Sequence, residues 1–269
     1  MDALAVVRAG TVPYETASEW QRDLHRRRVV GEVPDVLLLL EHPHVYTLGR
    51  RFTAEHLLLD RTRLAERGIS VHEADRGGSV TYHGPGQLVG YPIIELARPS
   101  HPAARSEPDT IRYLRLLEEA LIRSVRSLGV VAGRRDRLTG VWVGTAKLAS
   151  IGVNVSRGVS KHGFALNVST DLTFFDGMVP CGIQDVALTS LSRILARDVP
   201  MPEVCDLVTA HLGALLHRRP VPASPADLGL AGGVGETSAA RMGGDPHAGP
   251  ASETQQAARV IQFPRAEES

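Results

Sequence analysis

Short apolar runs of strand length, punctuated by Gly- and Pro-rich turns, outnumber the helical stretches along most of this chain, and that alternation restricts it to folds built on a sheet. LAVVRAG is predicted to form a first strand, and YETASEWQRDLHRRRVV, after Pro13, an amphipathic helix with a basic face. VLLLLEH and VYTLG read as strands on either side of His42-Pro43-His44. RTRLAERG reads as a short helix closed by Gly68, and ISVHEA as a segment leading into the loop RGG. SVTYH and QLVGYPIIEL flank the turn Gly84-Pro85-Gly86, a pattern that predicts a hairpin. Beyond the Pro-rich RPSHPAARSEP, Asp109 is placed to cap a helix with Ile111, Leu114, Leu117, Leu121 and Val125 on one face.

The second half returns to strands at GVVAG, GVWVG, AKLASIGVNVS and HGFALNVS, followed by a loop holding Cys181, a short helix near TSLSRILA and a helix over residues 201–217. These elements predict an α+β fold, a single domain with a largely antiparallel sheet packed by helices, and no internal repeat is visible. From about Pro220 the character changes. Residues 223–256 contain no aromatic and no Ile, too little apolar surface to offset the entropy of ordering them. The expected organisation is a folded domain over 1–219 and a disordered Pro/Gly/Ala/Ser-rich tail over 220–269.

With 269 residues and 43% hydrophobic content the chain can bury a core without a metal or disulfide staple. Its 30 basic and 30 acidic residues cancel, so no overall field draws it to nucleic acid or membrane, and an acidic partner must be met by a local patch. No run approaches the roughly 18 apolar residues of a membrane span, and MDALAVVRAG lacks a basic region followed by a long apolar stretch. The expected setting is cytosolic, where a Cys181–Cys205 bridge is disfavoured. Cys205 has helical spacing and reads as a buried, inert thiol, whereas Cys181, between Pro180 and Gly182, belongs to a shaped loop. Of the 30 basic residues only Lys147 and Lys161 are lysines, leaving 28 arginines. A lysine kept in such a chain is a place to look for proton transfer, because arginine does not give up its proton inside a protein. The plain alternative, an ordinary surface lysine, applies above all to Lys161.

Four segments concentrate glycine beside polar or reactive side chains: RGGSVTYHGPG (76–86), GTAKLASIGVNV (144–155), HGFALNV (162–168) and MVPCG (178–182). With RGGSVTYHGPGQLVGYPI, KLASIGVNV, HGFALNVSTDL and PCGI in this order, the chain over roughly 35–195 resembles the octanoyltransferases of lipoate biosynthesis, in the wider group of lipoate and biotin protein ligases. The resemblance implies the α+β catalytic fold of those ligases, with Cys181 carrying an acyl thioester and Lys147 beside it. It assigns the acyl pocket to Arg76, Gly77, Gly78, Ser79, Val80, Thr81, Tyr82 and His83, to Ser150, Ile151 and Gly152, and to Gly163, Phe164 and Ala165. It implies octanoyl-acyl carrier protein as donor and, as acceptors, lipoyl domains of 2-oxoacid dehydrogenase complexes and the glycine cleavage system H protein. Neither cofactor nor metal is implied, and a monomer is expected.

The residue types support the same chemistry. A thiol of pKa about 8.5 is only a few per cent ionised near neutrality, so a nucleophilic cysteine needs a base or a nearby cation, and Lys147 supplies either. The tetrahedral oxyanion needs preorganised donors, expected from amides around Ile151 and Gly152 or near Cys181. His83 is open to three roles: donor to the acyl carbonyl, orienter of Lys147, or partner in a structural hydrogen bond to the adjacent turn. Thr81 and Tyr82 alternate along a strand, so only one should face the pocket. Three other readings compete. An ATP-dependent ligase would not need Cys181. A metal site on His42, His44, His72 and His83 has poor ligand spacing and no clustered cysteines. A non-catalytic acyl- or lipoyl-domain-binding protein would have no use for a Cys and Lys pair. For the acidic carrier, Arg50-Arg51 and Arg134-Arg135 are candidate docking pairs.

Overall fold

In the computed structural model, which describes residues 2–96, 109–179 and 186–230, the strand DVLLLLE explains the layering. This strand, β2 (Asp35–Glu41), is buried on both faces: Leu37 and Leu39 enter one core while Val36, Leu38 and Leu40 enter another. A strand apolar on both sides needs a layer above and below, and the chain supplies helices for each. Helix α1 (Tyr14–Val29) covers one face through Ala17, Trp20 and Leu24. Helices α3 (Thr110–Ser127) and α5 (Met201–Leu216) cover the other, joined by the short α4 (Leu191–Leu195). Asp109 and Ser190 cap α3 and α4 by accepting from the main-chain N–H three residues on.

The large sheet adds β1 (Asp2–Thr11), β6 (Gln87–Ile93), β7 (Gly133–Arg135), β8 (Leu138–Val143), β9 (Ala146–Ser156), β10 (Val159–Asn167) and β11 (Arg218–Ala223), in the order β11-β1-β2-β6-β10-β9-β8-β7. Strand β1 runs parallel to β2 and β11, and all other neighbours are antiparallel, so the fold is α+β with a mixed sheet. A second sheet, β4-β3-β5, contains β3 (Val45–Leu48), β4 (Ser70–Glu73) and β5 (Val80–His83). It has its own core with Leu64 of α2 (Arg61–Glu66) and with Phe175.

Several sequence expectations are corrected. SVTYH and QLVGYPIIEL do not form a hairpin: β5 pairs with β3, while β6 lies between β2 and β10. GVVAG is not a strand, since Val130 is buried but Val131 is 86% exposed, and pairing starts only at Gly133. Ile111 is 71% exposed, and the buried stripe of α3 starts instead at Tyr113 and continues through Leu117, Leu121 and Val125.

The boundary at 219/220 also moves. Strand β11 crosses it despite Pro220 and Pro222, which an edge strand tolerates because alternate N–H groups face away from the ladder. Leu228 and Leu230 then bury against the α1 side of the core. The Pro-rich loop at 97–108, the Cys181 loop at 180–185 and the tail from 231 lie outside the described residues. Among the described residues, no helix is long and apolar enough to cross a membrane.

A buried carboxylate locks the layers at one end. Asp35 accepts from Arg28 Nε of α1 and Arg218 Nε of β11, both at 2.8 Å, and from the main-chain N–H of Glu95 at 2.9 Å. Its side chain is 2% exposed, so removing it leaves Arg28 with Glu95 and Arg218 with Leu216 O, each short of a buried acceptor that little water can replace. Asp35→Ala is expected to destabilise the fold by about 3–5 kcal/mol, read as a lower denaturation midpoint at unchanged m-value.

Candidate active site

Beyond Ala149 the β8–β9 pairing stops, and the freed edge of β9 meets the loop that precedes β5. Gly77 N–H donates to Val153 O at 3.0 Å, closing that loop onto the sheet. Between the loop, β5 and the adjoining stretches of β9 and β10 lies a pocket that, with its open mouth, encloses about 510 Å³. Residues 76–81, His83, 150–152 and 163–165 line it. Tyr82, assigned to the pocket by resemblance, is not among the lining residues. The pleat turns it into the core of the small sheet, where its hydroxyl hydrogen-bonds His44 Nδ1 at 2.7 Å and its ring stacks on Phe174.

Glycines let these walls approach. A Cβ at Gly152 would lie 2.8 Å from Gly77 O, and one at Gly163 would overlap Gly90 O on the neighbouring strand. Four further residues line the pocket that sequence reasoning missed: Tyr14, Thr47, Tyr91 and His162. They come from α1, β3, β6 and β10, separated too widely for any local motif. His162 alone had a signal, standing directly before the GFALN run.

The loop is held from both sides. Arg76, buried, donates to Thr47 O at 2.5 Å and to Thr47 Oγ1 at 2.8 and 3.1 Å. Asp75 accepts from Lys161 Nζ and His162 Nε2, each at 2.6 Å, and from Asn154 Nδ2 at 2.8 Å. The His162 hydrogen bond, then that of Lys161, holds the Asp75 carboxyl well below the usual carboxylate range. Lys161 is therefore a clamp on the loop. Burial pushes the Tyr14 hydroxyl up to about 12 and holds His83 well below its ordinary value, so both stand neutral near pH 7.

Lys147 stands on β9 three residues before Ser150 and is 4% exposed. Two steps of β9 from Ala149 match one step of β8 from Val141, a bulge that re-aims the side chain beside it. The amine lies 5.5 Å from the ring centroid of Trp142, its cross-strand partner, and a Cβ at Gly140 would sit 2.9 Å from Lys147 Cε. Lys147 N donates to Ala187 O and Thr189 N to Lys147 O, pinning its main chain to the segment that follows the Cys181 loop. Cys181 itself lies outside the described residues. Cys205 is buried in α5, and burial raises its thiol to about 11, which leaves it protonated near neutrality.

Three of the four histidines weighed as metal ligands make hydrogen bonds within the protein, and His72 Nδ1 lies 3.6 Å from Glu15 Oε1. His42 contacts Val12 O and the Tyr91 hydroxyl, His44 the Tyr82 hydroxyl, and His83 Gln87 Oε1 at 2.8 Å. Among the described residues no group of three His, Cys, Asp or Glu side chains is placed to hold a metal ion.

The family model for the lipoyl protein ligase A/B catalytic domain matches residues 13–213. An octanoyltransferase of Chloroflexus aggregans is 46% identical over 226 residues, covering 83% of this chain and 99% of the relative. This chain belongs to the octanoyltransferase family. A second octanoyltransferase, from Rubrobacter xylanophilus, is 50% identical over 197 residues, covering 72% of this chain and 85% of that one. As an octanoyltransferase the chain is an acyltransferase, related to lipoate ligases. The fold agrees: a putative lipoate protein ligase from T. acidophilum with bound lipoic acid superposes with a TM-score of 0.64 at 17% identity, over 83% of this chain and 90% of that one. Lipoate-protein ligase A bound with ATP gives 0.63 at 18% identity, over 86% and 92%.

Proposed function

We propose that this octanoyltransferase moves an octanoyl group from octanoyl-acyl carrier protein to the target lysine of lipoyl domains, through a thioester on Cys181 with Lys147 as general acid and base. The observation that carries the reading is the meeting of three separated Gly-rich motifs around one pocket, on the strand that bears Lys147. In the first half reaction the Cys181 thiolate attacks the acyl carbonyl and the carrier thiolate leaves, Lys147 taking the proton from Cys181 and returning it to the leaving sulfur. In the second, the acceptor amine attacks, the Cys181 thiolate leaves, and Lys147 removes the extra proton from nitrogen. The first exchange is nearly isoenergetic; the amide product draws the second forward. No ATP is consumed, because the acyl group arrives activated.

Val80, Ile151, Phe164 and Ala165 offer the alkyl chain an apolar wall. Six methylenes buried there contribute at most roughly 5 kcal/mol. Oxyanion donors are assigned to main-chain amides around Ile151 and Gly152, where β9 has lost its β8 neighbour. Likeness to lipoate ligases favours one second reading, ATP-dependent ligation. At 17% and 18% identity that likeness speaks for the fold alone.

Mass spectrometry of the enzyme mixed with octanoyl carrier protein is expected to find one added octanoyl group on Cys181. Product formed from octanoate and ATP without the carrier would instead support the ligase. Lys147→Arg keeps a cation but does not cycle a proton, and is expected to lower turnover by about two orders of magnitude or more; near-normal turnover would reduce Lys147 to an electrostatic role.

For carrier docking, the two basic pairs are not equivalent. Arg134 is engaged with Glu118 and Glu119 at 2.9 Å, and Arg135 lies 5.0 Å over the Trp142 ring. Arg50 and Arg51 are exposed, and their N–H groups donate to Arg76 O and Gly78 O of the pocket loop. We assign the acidic carrier to Arg50 and Arg51. Reversing both charges is expected to raise KM for the carrier about tenfold and to flatten its salt dependence, while an unchanged salt dependence would remove the assignment.

A further inference from the structure

A file of buried polar groups runs beneath the pocket, and each link has a fixed direction. At one end Arg76 donates to Thr47 Oγ1 through two nitrogens, at 2.8 and 3.1 Å. A guanidinium accepts nothing, so both lone pairs of that hydroxyl are taken, and its own hydrogen is left for the remaining neighbour, His83 Nε2 at 3.5 Å. At the other end the Asn167 side chain lies 3.1 Å from Thr189 O. A carbonyl has no proton to give, so Nδ2 of Asn167 faces it and Oδ1 turns toward Gln87. That oxygen takes the Gln87 Nε2 proton at 3.0 Å, which turns Gln87 Oε1 toward His83 Nδ1 at 2.8 Å.

The two ends, one able only to donate and the other only to accept, agree from opposite directions. His83 carries its proton on Nδ1 and its lone pair on Nε2. All five side chains are buried, and hydrogen bonds aligned head to tail in a low-dielectric interior reinforce one another. The file ends next to Lys147, since Thr189 N donates to Lys147 O at 3.0 Å.

We infer that Gln87 and Asn167 are positioning residues: they hold His83 as the neutral Nδ1–H imidazole, an acceptor toward Thr47 on the pocket wall, and tie it to the segment paired with Lys147. The consequence for catalysis rests on the acyl-transfer reading. With its one proton committed to Gln87, His83 has none to give an acyl oxyanion. Arg76, His42 and His162 face His83 and, with burial, oppose a second proton on it.

Nitrogen-15 NMR of the full, ligand-free chain reads the ring directly and needs no assay, with the His83 signals assigned by their loss in His83→Gln. The expected spectrum has Nδ1 protonated and Nε2 bare at neutral pH. An Nε2–H tautomer or an imidazolium overturns the inference, whatever the substrate proves to be. Gln87→Glu keeps the shape and still accepts from Nδ1, but has nothing to donate to Asn167. In it, His83 is expected to become an imidazolium, and kcat to fall about tenfold or more with KM for the carrier within about twofold. Wild-type His83 signals together with wild-type kcat in Gln87→Glu would also overturn it. If that variant does not fold, the spectrum of the unaltered chain still decides.

Discussion

Strand β6 has no free edge. With β2 on one side, β10 on the other and all seven residues buried, it leaves the preceding strand nowhere to fold back. The chain therefore turns a corner at residues 84–86 and β5 pairs in a separate sheet, so that the pocket is the space left between two sheets. The corner is fixed by four hydrogen bonds at one residue. Gly86 N–H donates to Glu41 Oε2 at 2.6 Å, and its carbonyl accepts from Val168 N, Ser169 N and Thr170 Oγ1 at 2.9–3.1 Å. Gly86 stands at φ +76, and a Cβ there would lie 2.7–2.9 Å from Ser169, so glycine alone suits the position.

The pocket loop inherits this rigidity and adds charge to it. Arg76 ties it to β3, while Asp75 ties it across β9 and β10 through Asn154, Lys161 and His162. His162 stands at φ +56, a conformation that costs a non-glycine residue about 1–3 kcal/mol. Its N–H bond to Gln21 Oε1 at 2.8 Å and its ring contact with Asp75 hold it there. Because Asp75 is half exposed, its ion pairs give geometry more than stability. Geometry is what acyl transfer asks of a protein: donors set where charge develops, so that nothing need reorganise as the oxyanion forms.

Local signals were readable where one residue determines one feature. Asp109 caps its helix as its side chain requires, and the VLLLLE run is a strand, buried on both faces. The Gly-rich motifs marked the pocket because close main-chain approach excludes side chains there. What stayed hidden depends on pairing partners distant in sequence. A Gly-Pro-Gly turn between two alternating runs fits a hairpin or a corner equally well, and the occupancy of β6's edges decides between them. Prolines at 220 and 222 read as a tail until β1 offers an edge, and Tyr14 and Tyr91 reach the pocket only because α1 and β6 are packed where they are.

The scarcity of lysine takes on different meanings at its two sites. Lys161 forms an ion pair with Asp75 at 2.6 Å from a partly exposed position, a task within reach of an arginine. Lys147 is constrained twice. The missing Cβ of Gly140 and the Trp142 ring shape a slot around a narrow alkyl chain, and a planar guanidinium is broader than an ammonium. The proposed acid and base role, in addition, asks for a proton that can leave and return. A broader head group would crowd that slot even in a protein that did no chemistry. The amine's proposed part as acid and base is therefore a separate matter from how well the side chain fits, and belongs to rates rather than to shape.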